Sequence, residues 1–115
     1  MKETIKLNAG DFLLHEGDDS TEMYYVQSGN LSVLKKKGDG IHQIGTIMAG
    51  ELVGEMSFLD KEPRSASVKA LTECVLVVIP AETMDATLKG LPKWFTALQN
   101  TLLDRLRKAN ARIKV

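Results

Sequence analysis

A chain of 115 residues, 43% hydrophobic and 26% charged, has the size of one domain and the composition of a globular protein rather than a disordered or fibrous one. Fifteen basic groups balance fifteen acidic ones for a formal net charge of zero, so no broad positive field exists to hold a nucleic-acid backbone. The single cysteine, Cys74, excludes an internal disulfide and a multi-thiolate metal centre. No apolar run reaches the roughly 18–20 residues of a membrane span, and Met1–Gly10 lacks the apolar stretch of a signal peptide. A cytoplasmic protein without membrane contact is the expectation.

Eight of the nine glycines fall within the first 54 residues, where they punctuate short segments of strand-like composition. In chain order, strands are expected at Thr4–Leu7, Asp11–His15, Met23–Gln27, Asn30–Lys37, His42–Met48, Arg64–Leu71 and Cys74–Ile79. Lys37-Gly38-Asp39-Gly40 reads as a hairpin turn. Many short strands at close spacing indicate an antiparallel sandwich or roll. After Pro80 the period changes. Ala81–Lys89 is helix-permissive, Gly90 suits a left-handed cap, and Pro92 can occupy the first turn of the next helix. From Trp94 onward Leu98, Leu102, Leu106, Ala109 and Ile113 recur at spacings of three and four, with Phe95 and Leu103 widening the stripe of a long amphipathic helix. Residues 1–90 carry nine basic and fourteen acidic groups, residues 91–115 six basic and one acidic. The basic excess at Arg105, Arg107, Lys108, Arg112 and Lys114 complements the helix dipole or contacts a partner.

The stretch from Gly50 to Val68 stands apart. Gly54 can take a conformation that other residues resist, and Glu55–Leu59 is long enough for one helical turn with amides free at its start. Arg64, the first of the chain's arginines and the only one before Arg105, enters a strand beside Ser65. Its planar fork grips two phosphate oxygens at once. The other reading of the same residues is an exposed Arg64 paired with a carboxylate such as Glu62.

Gly54-Glu55-Met56-Ser57-Phe58-Leu59 followed by Pro63-Arg64-Ser65-Ala66-Ser67-Val68 resembles the phosphate-binding cassette of cyclic nucleotide-binding domains, as in the catabolite activator protein and protein kinase A regulatory subunits. Phe12-Leu13-Leu14-His15-Glu16-Gly17-Asp18, Tyr24-Tyr25-Val26 and Ser28-Gly29-Asn30-Leu31-Ser32-Val33 are similar to the early strands of that family. The resemblance implies a mainly β fold: an antiparallel, jelly-roll-like β-roll over about 2–80, with the cassette at about 50–68, then two α-helices over about 81–114, all in one domain spanning 1–115.

The resemblance further implies a ligand, cAMP on family frequency with cGMP as the alternative, and no metal or other cofactor. By analogy Arg64 takes the equatorial oxygens of the cyclic phosphate, Ser65 donates through hydroxyl and amide, and Gly54, Met56, Ser57 and Ala66 complete the cradle. Glu55 accepts from the ribose 2′-hydroxyl. Val33, Ile44 and Val53 offer apolar contact, and Asn110 lies where the family's last helix meets the base, an Asn amide being able to pair with an adenine edge. The implied function is a regulatory sensor whose C-terminal helix shifts on binding to control an output domain, attached beyond residue 115 or associated. A homodimer through that helix is compatible with its stripe, and direct DNA binding by this segment is not expected. The alternative is a ligand-free structural or dimerisation module of the same fold. An enzyme is not expected: His15 and His42 lack metal-ligand spacing and read as strand-surface residues, no Ser-His-Asp or Cys-His arrangement stands out, and Cys74 sits in an apolar strand.

Overall fold

The computed structural model describes residues 3–19, 22–54 and 62–113, the last span without the side chains of 107 and 110–113. Eight strands and two helices follow in order: β1 Thr4–Leu7, β2 Phe12–Leu14, β3 Glu22–Ser28, β4 Asn30–Lys37, β5 Gly40–Met48, β6 Leu52–Val53, β7 Ser67–Ala70, β8 Cys74–Pro80, α1 Ala81–Lys89 and α2 Lys93–Ile113. The strands form two four-stranded antiparallel sheets, ordered β1-β8-β3-β6 and β2-β7-β4-β5. This is the expected mainly β roll followed by two helices. The chain divides into two compact units, Met1–Ala81 and Glu82–Val115.

Within the first unit, alternate residues of both sheets point inward and meet. Leu14, Tyr24, Val26, Leu31, Val53, Val68, Ala70, Cys74, Leu76 and Val78 make one buried cluster, flanked by Ile5, Leu7, Leu13 and Ile47. Cys74 is a buried free thiol, a small apolar filler as its strand composition implied. The expected hairpin at Gly38-Asp39 is present: Lys37 pairs with Gly40, and Gly38 takes φ +56°, the left-handed start that a two-residue hairpin turn needs.

Gly29 joins β3 to β4 at φ +97°, and a Cβ there would collide with the Glu73 carbonyl oxygen and Cys74 Sγ. Neither can retreat, since one is backbone and the other lies in the core. Gly29→Ala is therefore expected to lower the unfolding free energy by about 2–4 kcal/mol, from φ strain plus overlap. A urea midpoint unchanged from wild type would refute that.

Three expectations are corrected. Arg64–Ala66 lie outside β7, which begins at Ser67, because the Arg64 backbone bonds to the loop before β3 instead: Gly17 N–H donates to the Arg64 carbonyl and Arg64 N–H to the Asp18 carbonyl, both at 2.8 Å. β6 is a strand that the pattern did not indicate. Gly90 is not left-handed; α1 ends in tight turns, with the Gly90 amide on the Thr87 carbonyl at 3.2 Å and that of Leu91 on Leu88 at 3.1 Å. Pro92 does stand at the entry to α2, its carbonyl accepting from Phe95 at 3.0 Å. Along α2, Leu98, Leu102 and Leu106 are each about half exposed, and Lys108 pairs with Asp104 one turn back at 3.0 Å.

Candidate functional site

Arg64 is 4% exposed, which removes the reading of a solvated surface arginine. Its guanidinium is held by two main-chain carbonyls at one end of the adjacent antiparallel strands β3 and β6. Nη1 donates to the Gly54 carbonyl at 3.1 Å, just past β6, and Nη2 donates to the Glu22 carbonyl at the start of β3. Nε is buried without a hydrogen-bond partner, and no ion pair among the described residues involves Arg64. Of the five N–H donors of a guanidinium these two carbonyls take one each, so the buried group has unspent donor capacity, that of Nε included. Such a group favours an anion.

Gly54 makes room for it. At φ +83° the residue occupies left-handed space, and a Cβ there would overlap Arg64 Nη1. Its carbonyl then takes one of the guanidinium's donors. The short strand that leads to it is set by tertiary pairing, with Val53 opposite Tyr24 and Leu52 opposite Tyr25.

Tyr24 lies beside the Glu22 end of the clamp. Its hydroxyl donates to Glu22 Oε1 at 2.7 Å. Burial raises the phenol well above its ordinary range and the Glu22 carboxylate adds to that, while the Arg64 cation acts in the opposite direction. The phenol thus stays protonated and donates to the Glu22 carboxylate.

The remaining sequence candidates are distributed as follows. Ser65 is exposed and Ala66 half-buried beside Arg64, and the Ser65 carbonyl accepts from Lys35 Nζ at 2.6 Å. Val33 is half-buried, opposite Val68 of β7 and Gly45 of β5. Ile44 is the extra residue of a bulge, since Val33 faces Gly45 and Leu34 faces Gln43; it is 41% exposed and so is not plain core. Val53 is 1% exposed and belongs to the core cluster, where it backs Gly54 rather than facing solvent. Glu55, Met56 and Ser57 lie outside the described residues, as does the side chain of Asn110, whose backbone belongs to α2.

Glu16, Gly17, Asp18, Glu22 and Lys35 were not singled out from sequence, yet all support the Arg64–Ser67 segment. Besides the Gly17 and Asp18 bonds, the Glu16 amide donates to Ser67 Oγ at 2.9 Å. Their partners are 30 to 51 positions away, so only the fold could reveal them. A cavity of about 500 Å³, lined by Phe12, His15, Leu34 and Ile41 among others, adjoins this support through Glu16, Gly17 and Ser67 but includes neither Arg64 nor Gly54. His15 is stacked on Phe12 at 4.9 Å. Among the described residues no three His, Cys, Asp or Glu cluster to hold a metal, and no helix is long and apolar enough to cross a membrane.

The comparisons with known proteins agree with this geometry. The chain is 32% identical over 104 residues to lysophospholipase NTE1 of Cryptococcus neoformans var. neoformans, an alignment covering 90% of this chain and 6% of that protein. The cAMP-bound form of the EAL enzyme Bd1971 matches with TM-score 0.83 at 26% identity, over 95% of this chain and 29% of that one. The catabolite activator protein of Thermus thermophilus matches with TM-score 0.80 at 29% identity, over 97% of this chain and 53% of that one. The chain therefore spans a small part of the curated relative and about half or less of either structural neighbour. The cyclic nucleotide-binding domain family matches residues 4–90, a span that holds both sheets, Gly54 and the clamped Arg64, and the chain belongs to that family.

Proposed function

We propose that this chain is a non-catalytic sensor that binds a cyclic nucleotide, with cAMP the first ligand to test and cGMP the second. The observation that carries the reading is the buried Arg64 guanidinium, whose Nε lacks a partner and whose other nitrogens rest on neutral carbonyls. In this reading Arg64 takes the equatorial phosphate oxygens, and Ser65 adds its hydroxyl and amide. Gly54, Met56, Ser57 and Ala66 line the cradle. The Glu55 carboxylate accepts from the ribose 2′-hydroxyl, while Val33 and Ile44 contact the nucleoside and Val53 packs behind. Asn110 reaches the base. That the EAL enzyme Bd1971 is known in a cAMP-bound form supports the choice of ligand.

The output we propose is a population shift in α2. A ligand biases such a switch only through its difference in affinity between the two states, typically about 1–3 kcal/mol of coupling. The half-exposed Leu98, Leu102 and Leu106 are the contact surface that would move, pair with a second copy, or engage an output domain. The lysophospholipase relative, of which this chain matches 6%, supports control of an attached domain.

Calorimetric titration with cAMP, cGMP and 2′-deoxy-cAMP tests the reading. Saturable binding of cAMP is expected, with the 2′-deoxy analogue weaker by about tenfold or more, as befits loss of a hydrogen bond to a charged acceptor. Absence of binding heat and of thermal stabilisation with both cAMP and cGMP would overturn it.

A further inference from the structure

We propose that Lys35 is a positioning residue of this anion site: its ammonium fixes the Ser65 peptide beside Arg64 and adds a second positive charge there, strengthening binding of the cyclic phosphate. The inference rests on the cyclic nucleotide reading above and assigns within it a residue specific to this chain's own contacts.

Lys35, Lys36 and Lys37 form an undifferentiated basic run in the sequence. The fold separates them. Lys36 and Lys37 are exposed, whereas the Lys35 side chain is 22% exposed. Strand alternation puts Lys35 on the same face of β4 as Leu31 and Val33, the inward face whose Val33 meets Val68 of β7. From there Nζ reaches across to the Ser65 carbonyl at 2.6 Å.

That carbonyl belongs to the Ser65–Ala66 peptide. Because the unit is planar and trans, holding its oxygen also fixes the Ala66 N–H, which points the opposite way. One lysine thereby sets the orientation of the segment that follows Arg64. An ammonium has three donors, so the Ser65 bond leaves others free for an anion.

Glu16 restrains this charge. Its Oε2 lies 4.0 Å from Lys35 Nζ, while Oε1 is held by the Lys36 amide at 3.1 Å. The carboxylate is therefore anchored by β4 and partly neutralises Lys35. Glu16→Gln keeps an oxygen for the Lys36 amide and removes the negative charge. A lysine that acts on a bound anion predicts tighter binding in that variant, and one that only braces the loop predicts none.

The test is equilibrium binding of cAMP across a salt series to wild type, Lys35→Met, Lys35→Arg, Glu16→Gln and Arg64→Ala, with a thermal melt of each. Lys35→Met is expected to weaken binding about fivefold and to flatten its salt dependence, and Lys35→Arg to recover most of the loss. Glu16→Gln is expected to tighten binding about twofold at low salt. Wild-type-like affinity and salt slope in Lys35→Met would overturn the proposal. If Lys35→Met does not fold, the Glu16→Gln arm decides alone, and unchanged or weaker binding there overturns it. A wild-type chain that binds neither cAMP nor cGMP overturns the ligand reading itself. A chain that binds, loses binding in Arg64→Ala and is indifferent to Lys35 and Glu16 overturns only the role given to Lys35.

Discussion

Arg64→Ala is expected to weaken cAMP binding by about a hundredfold or more, the largest effect of any single substitution on affinity. Charge-assisted hydrogen bonds contribute about 1.5–3 kcal/mol each, and the guanidinium can direct two toward one phosphate. Burial strengthens the argument, since the group is 4% exposed and Nε has no partner; an arriving phosphate meets a cation already stripped of most of its water. The same substitution has an opposing pair of effects on stability. It strands the Gly54 and Glu22 carbonyls that now accept from the side chain, at about 1–3 kcal/mol for each one left dry. It also removes a buried charge that was costly to desolvate. Binding must therefore be measured where circular dichroism shows the variant folded. Arg64→Lys separates charge from geometry: it keeps the cation and loses the fork, so intermediate affinity is expected. In wild type, cAMP at a hundred times its dissociation constant should stabilise the fold by about 2.7 kcal/mol, and at the same concentration that increment should fall to about 0.4 kcal/mol or less in Arg64→Ala. Equal affinities for wild type and a folded Arg64→Ala would remove Arg64 from the site.

How far the sequence carried the fold depended on whether a feature was local. β1 and β4 were read to the residue, because β-branched and aliphatic side chains alternate there and Gly38 marks the turn. β6 was missed, since Leu52–Val53 is too short to hold a period and exists through its pairing with Tyr24 and Tyr25. Arg64 was legible as a lone arginine within a motif. Its removal from β7 was not, because the competing partners, Gly17 and Asp18, lie more than 40 positions upstream. The same holds for Glu22 and Lys35, whose roles depend on contacts 42 and 30 positions away. A Gly-containing turn signals its own conformation; a carbonyl offered to a distant guanidinium signals nothing in one dimension.

Gly54→Ala is expected to weaken binding by acting on Arg64 without touching its chemistry. Two effects combine. A non-glycine residue at φ +83° pays about 1–2 kcal/mol in backbone strain. The new Cβ also overlaps Nη1 and approaches Cζ at 3.2 Å, and a side chain yields more readily than a strand end. The guanidinium is then driven off the Gly54 and Glu22 carbonyls, so the clamp that positions it is lost while its charge remains. Affinity for cAMP should fall at least tenfold, and stability by about 2–3 kcal/mol. A double-mutant cycle isolates the mechanism. In an Arg64→Ala background the Cβ has no guanidinium to displace, so Gly54→Ala should there cost only the backbone strain. The two losses of stability should fall short of additivity by about 1 kcal/mol or more. Strict additivity in urea denaturation would mean that the glycine serves the turn alone and that the space it leaves for Arg64 has no energetic consequence.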